Sequence, residues 1–151
     1  PKRDWSSDVC SSDLSAWGVD TQLIRDGTYF AVEADGVGII ACGGWSYRTT
    51  LFGSDGQAGR EASELDPAVD AARIRAFFVH PVWARRGVGR ALLEKCEQEA
   101  HRHGFRSTAL VATLPGVRLY RKCGYMGDEQ VDYPLPGGLS ITFVPMTKLF
   151  V

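Results

Sequence analysis

The chain has no CxxC pair and no GK[ST] triplet. It also lacks any apolar run approaching the ~18 to 20 residues that a bilayer-spanning helix needs. Nor does it carry an excess of either charge: Lys and Arg number 17 against 18 Asp and Glu, a formal net charge of −1. No global field therefore draws it to nucleic acid, and no membrane partner is expected. The four cysteines, Cys10, Cys42, Cys96 and Cys123, lie far apart. Cys42 and Cys96 sit in apolar patterns of the kind that bury free thiols, which fits a reducing cytoplasm. His101 and His103 are two apart at the end of a helical pattern and do not share a face, so no metal site is expected there. What remains is a protein whose partner is a small molecule or a local peptide.

At 151 residues and 16.5 kDa, with 44% hydrophobic and 11% aromatic residues, the chain suffices for one domain with a real core. Residues 4–14 (DWSSDVCSSDL) are polar, rich in Ser and Asp, and without helical or strand period. They lack the apolar h-region of a secretion signal and resemble the translation of a sequencing-library adapter. The expected organisation is a non-native tail over residues 1–14 and a single domain over 15–151, with an ordinary disordered tail as the other reading of the first segment.

From Ser15 onward, Val19 to Arg25 reads as the end of a helix closed near Gly27. Thr28 to Glu33 alternates as a strand, Asp35-Gly36 is a hairpin turn, and Val37 to Arg48 is the returning strand. Leu51 to Ala72 is a long connection rich in Gly, Ser and acidic residues. Ile74 to Val79 is almost wholly apolar, as a strand buried on both faces would be. A glycine turn follows, then a helix with Val88, Leu92, Cys96 and Ala100 at four-residue steps, closed by Gly104. Ser107 to Ala112 reads as another buried strand, and Pro115 opens a short helix through Lys122, with Gly124 as C-cap. Tyr125 to Tyr133, a turn over Pro134 to Gly138, and Leu139 to Lys148 complete a final hairpin.

The chemistry concentrates where the apolar run IRAFFVHP meets WARRGVGR and the helix ALLEKCEQEAHRHGF, between Arg73 and Phe105. Gly87 and Gly89 can take φ values closed to other residues and let a ligand approach the backbone. The helix start contributes unpaired N–H groups and its positive dipole end, and Arg85, Arg86 and Arg90 add full charges. Such a turn suits a pyrophosphate. A Rossmann GxGxxG would need glycine where Leu92 stands.

This loop, followed by TLPGVRLYRKCGY over Thr113 to Tyr125, resembles the GNAT N-acetyltransferase superfamily. The resemblance covers residues 20 to 148 and implies an α/β (α+β) GNAT fold: a central mixed, mostly antiparallel sheet flanked by helices. The order of elements matches that fold from its second strand onward, so the first strand and first helix are expected to be missing. The implied activity is transfer of an acetyl group from acetyl-CoA to the primary amine of a small molecule or peptide, by direct attack within a ternary complex. A non-catalytic acyl-CoA-binding sensor is the alternative. The assembly is left open, a homodimer included.

Carried over residue by residue, the resemblance assigns Phe77, Phe78 and Val79 to the pantetheine arm through their backbone groups. Arg85, Arg86, Gly87, Val88, Gly89 and Arg90 fall to the pyrophosphate. Ala84 stands where relatives usually carry Gln or Arg. Tyr120 takes the place of the general acid that protonates the departing thiolate. Thr113 stands where many relatives have a CoA-contacting Asn, and Gly116 replaces a common Ala.

The general base is less defined. Relatives often carry Glu on a strand where this chain has Ser107 and Thr108. Glu33, His80, a chain of waters, or an acceptor that is already neutral all remain open. Trp45, Tyr47, Arg48 and Phe52, which follow Gly43-Gly44, are the candidate acceptor-pocket residues, with ordinary packing as the alternative role. No metal is required.

Overall fold

The structure is a computed structural model that describes residues 20–50 and 63–151. The expected tail over residues 1–14, the adjoining residues to 19, and Phe52 lie outside the described residues. The elements run α1 (Thr21–Arg25), β1 (Tyr29–Ala34), β2 (Gly38–Ser46), β3 (Ala72–Val79), α2 (Val88–Arg102), β4 (Ser107–Thr113), α3 (Val117–Lys122), β5 (Val131–Pro134) and β6 (Ser140–Leu149). The strands form one six-stranded sheet in the order β1-β2-β3-β4-β6-β5. Neighbours pair antiparallel except β3 with β4, which is parallel. This is the mixed, mostly antiparallel α+β sheet that the sequence pattern implies.

Local chemistry accounts for the boundaries. The Asp20 carboxylate accepts from the Leu23 N–H and opens α1, which buries Leu23 completely. Asp35-Gly36 makes the β1–β2 turn, with the Val37 N–H donating to the Ala34 carbonyl at 3.0 Å and Gly36 at φ 72°. In α2, Leu92, Cys96 and Ala100 form a buried stripe together with Leu93. The exposed side of that helix carries Arg90–Glu94 and Lys95–Glu99 pairs at four-residue spacing.

One side of the sheet holds the core, where Trp45, Ile74, Leu93, Cys96, Phe105 and Met146 pack together beneath α2. Alternation along β3 puts Ala72 and Ile74 into this core and turns Arg73 and Arg75 to the other side. There Asp20, at the start of α1, pairs with Arg75 at 2.9 Å with both side chains buried.

Two expected strands need correction. The first strand of the final hairpin is not Tyr125 to Tyr133 but Val131 to Pro134, preceded by an isolated bridge between Met126 and Thr147. At Gly127, with φ 145°, a Cβ would lie 2.1 Å from the Pro145 carbonyl oxygen, so the chain approaches β6 too closely to continue a ladder with side chains. Ile74 to Val79 is not buried on both faces throughout: its first half is, but Phe78 is 54% exposed. Cys96 is buried as expected, whereas Cys42 is only half-buried. Among the described residues no helix is long and apolar enough to cross a membrane.

The Asp20–Arg75 pair makes a stability prediction. Breaking a buried pair from one side strands the other charge, so Asp20→Ala should cost ~3 to 5 kcal/mol of unfolding free energy in urea. The double variant Asp20→Ala, Arg75→Met should recover most of that loss.

Candidate active site

The parallel pairing of β3 with β4 covers only Ala72 with Thr108 and Arg73 with Ala109, although β3 runs on to Val79 and β4 to Thr113. Beyond Arg73 the two strands part, opening the middle of the sheet. On its other side β3 stays hydrogen-bonded to β2, but with one irregularity. Cys42 pairs with Phe78 and Gly44 with Arg75, so Gly43 alone stands against Ala76 and Phe77. This is a β-bulge, and Ala76 takes φ 54° within it. The Tyr29 hydroxyl donates to the Ala76 carbonyl at 3.3 Å and ties the bulge to β1. A Cβ on Gly43 would lie 2.5 Å from the Phe77 ring, so only glycine lets that ring cross β2. After the bulge, the His80 N–H donates to the Ile40 carbonyl at 2.8 Å. By strand alternation the Val79 N–H therefore turns away from β2 toward the opening.

Past Val79 the chain makes a short 3-10 turn over Pro81–Trp83, which the His80 ring caps by accepting from the Val82 N–H at 3.2 Å. Arg85 then takes φ 62° and Gly87 φ 87°, the second directly before α2. No side chain caps the first turn of α2, so its N–H groups stay available at the positive end of a 15-residue helix dipole. Arg86 lies over the Trp83 ring, 5.1 Å from its centroid, and Arg90 is held by Glu94 at 2.8 Å. Among the described residues Arg85 makes no ion pair. Gly89 packs in the first turn of α2: a Cβ there would meet Leu119 at 3.3 Å and Val79 at 3.4 Å. The end of β3, the start of α2 and α3 therefore converge at one mouth of the opening.

Tyr120 belongs to α3. Its ring stands edge-on to Tyr125 with centroids 5.7 Å apart, and the Tyr125 hydroxyl is itself tied to Thr108 at 2.8 Å. Among the described residues the Tyr120 hydroxyl has no hydrogen-bond partner. Burial, with the Cys123 and Cys96 thiols adding to it, pushes the phenol up to about 12. It stays protonated across the neutral range. Thr113 ends β4 beside this ring, and a Cβ on Gly116 would lie 3.3 Å from both the Thr113 hydroxyl and the Tyr120 ring, a tight contact that glycine relieves.

The remaining candidates separate from this cluster. Trp45 is 1% exposed within the core, with its ring edge-on to His103 at 4.8 Å. Tyr47 stacks on His103 at 6.3 Å. Arg48 grips Asp26 through two hydrogen bonds of 2.7 and 2.9 Å, which lower the Asp26 pKa. Glu33 is exposed on the edge strand β1, with β2 between it and β3. His80 adjoins Val79 but has Nδ1 engaged as the turn cap. Among the described residues no group of three His, Cys, Asp or Glu side chains could hold a metal ion.

The family profile described as "Acetyltransferase (GNAT) family" matches residues 3–125. The chain belongs to the GNAT acetyltransferase family. Membership makes it an enzyme of the acyltransferase class that draws acyl groups from acyl-coenzyme A. Solved structures agree on the fold. Ard1 from Thermoplasma volcanium superposes with a TM-score of 0.63 at 16% identity, over 87% of this chain and 77% of that one. Ribosomal-protein-alanine N-acetyltransferase from Brucella melitensis gives 0.61 at 16% identity, over 86% and 74%. PaiA N-acetyltransferase from Thermoplasma acidophilum, solved in complex with coenzyme A, gives 0.55 at 12% identity, over 86% and 66%. No curated protein matches the sequence.

Sequence pattern found the GNAT loop and the tyrosine helix but not the bulge. Ala76 lies inside an apolar run with no glycine to flag a positive φ. Arg85 likewise carries no residue-type signal for its conformation. The loop's strain is testable. With nothing within 4 Å of a Cβ on Gly87, Gly87→Ala should lose ~1 to 2 kcal/mol in urea denaturation through its left-handed backbone alone.

Proposed function

We propose that this GNAT chain transfers an acetyl group from acetyl-CoA to a primary amine on a small molecule or peptide by direct attack. The observation that carries this reading is the parting of β3 and β4 beside an uncapped helix start. Support comes from α3, which packs against that start through Leu119 and carries Tyr120, protonated at neutral pH. The first turn of α2, from Gly87 to Arg90, suits the pyrophosphate, with Arg85, Arg86 and Arg90 supplying charge. The backbone of Phe77, Phe78 and Val79 suits the amide-bearing pantetheine arm, which can hydrogen-bond to an open strand edge much as a neighbouring strand would. Thr113 stands at the opposite edge, at the end of β4.

In the reaction the amine nitrogen attacks the thioester carbonyl, a C–N bond forms, and the C–S bond breaks. The Val79 N–H is suited to stabilise the negative charge that develops on the carbonyl oxygen. The Tyr120 hydroxyl gives its proton to the departing sulfur, and the amine gives up one of its own to water or to an adjacent base. His80 is the nearest sequence-derived candidate for that base, through Nε2. Glu33 is remote.

Two substitutions separate binding from chemistry. Gly89→Glu would press a side chain against Val79 and Leu119 and set a negative charge at the helix start. It should weaken acetyl-CoA binding by roughly a hundredfold or more in calorimetry. Tyr120→Phe should keep the acetyl-CoA Kd and lower kcat by roughly tenfold to a hundredfold. Because burial holds the phenol near about 12, the wild-type rate should show no alkaline fall below pH ~10 from this group. An earlier fall that vanishes in Tyr120→Phe would reassign the acid.

A further inference from the structure

Two arginines sit side by side on the sheet face away from α2, and they are treated differently. Arg75 has the buried Asp20 carboxylate at 2.9 Å. Arg73, two residues earlier, has neither an ion-pair nor a hydrogen-bond partner among the described residues, and its Nε is buried and unsatisfied. Burial alone lowers its pKa, and the Asp70 carboxylate only partly opposes this from beyond contact distance. A half-buried guanidinium that no described side chain pairs is a cost to the fold that a bound anion would offset.

Its position indicates which one. Arg73 with Ala109 is the last pair before β3 and β4 part, so Arg73 marks the closed end of the opening. Its ladder neighbours, Ser46 and Ala109, are small and buried, so neither carries a charge or a long side chain that competes for the guanidinium. The opposite face is filled by the core beneath α2. If acetyl-CoA occupies the opening with its phosphates at α2, the core blocks approach to the thioester from the α2 face, which leaves the Arg73 face for the acceptor among the described residues.

We propose that Arg73 binds an anionic group of the acceptor, so that the substrate is an amine that also carries a carboxylate, such as an amino acid or a peptide ending. This rests on the acetyl-transfer reading above, and it narrows the acceptor class. Arg73 makes a planar, two-pronged match to a carboxylate, while the acceptor's amine is left free to lie toward the bulge at Ala76.

The test uses the full chain and a panel of amino acids supplied both as free acids and as carboxamides. Wild type should acetylate at least one acid with kcat/KM on the order of ten- to a hundredfold above its amide. Arg73→Met should bring that ratio to about one while the acetyl-CoA Kd stays within about twofold. Its thermal midpoint should hold or rise, because the substitution removes a half-buried charge that no described residue pairs. A structural role for Arg73 would instead lower the midpoint. Equal use of acids and amides by wild type, or an acid preference that survives in Arg73→Met, would overturn the proposal.

Binding of N-acetylglycine in the presence of CoA provides a readout that does not need turnover. Wild type should bind it and Arg73→Met should not. Acetyl-CoA binding with no transfer to any amine would count against the catalytic reading, while the N-acetylglycine comparison would still decide the anion site. Loss of acetyl-CoA binding itself would instead point to failure of the cofactor site.

Discussion

Everything in the site depends on β3 and β4 ceasing to pair after Arg73 and Ala109. A sheet normally satisfies its backbone groups strand to strand, and an unpaired edge in the middle of a sheet is costly unless something else supplies the partners. Here the strands diverge over their C-terminal halves while remaining anchored on their outer sides, β3 to β2 and β4 to β6. The result is a slot lined by main-chain donors and acceptors, with a helix N-terminus at one mouth. That combination matches a ligand with a polyanionic head and an amide-bearing tail.

The slot is held open by constraints outside it. The bulge at Ala76 is tied by the Tyr29 hydroxyl to β1 and made possible by Gly43, which yields its side-chain space to Phe77. On the same face as Arg73, the buried Asp20–Arg75 pair joins the start of α1 to β3 just before the bulge. Tyr120 is aligned through Tyr125 and Thr108, a chain running from α3 into the core. Among the described residues the Tyr120 hydroxyl has no hydrogen-bond partner while its neighbour's is satisfied, which suits the proposed role of proton donor.

Much of this was legible in the sequence, for physical reasons. Glycines flanked by arginines ahead of an amphipathic period mark a turn into a helix whose first N–H groups no side chain caps, because few other residue combinations leave the backbone so accessible. The order of strands followed from alternation and turn residues. The bulge stayed hidden because Ala76 looks like any small residue in an apolar strand. The parting of β3 and β4 is a tertiary event with no local period. The overlong reading of Tyr125 to Tyr133 failed where Gly127 brings the chain against Pro145, a close approach that strand propensity does not encode. Trp45 and Arg48 carry residue types common in pockets, but here one fills the core and the other holds Asp26.

The central claim is that the open edge of β3 receives acetyl-CoA. Amide hydrogen exchange with residue resolution, with and without acetyl-CoA, tests it most directly. Slowed exchange at Phe77 to Val79 and at Val88 to Arg90, with the β1–β2 turn unchanged, is the predicted result. Tight binding that leaves those amides exchanging at their free rates would contradict the account.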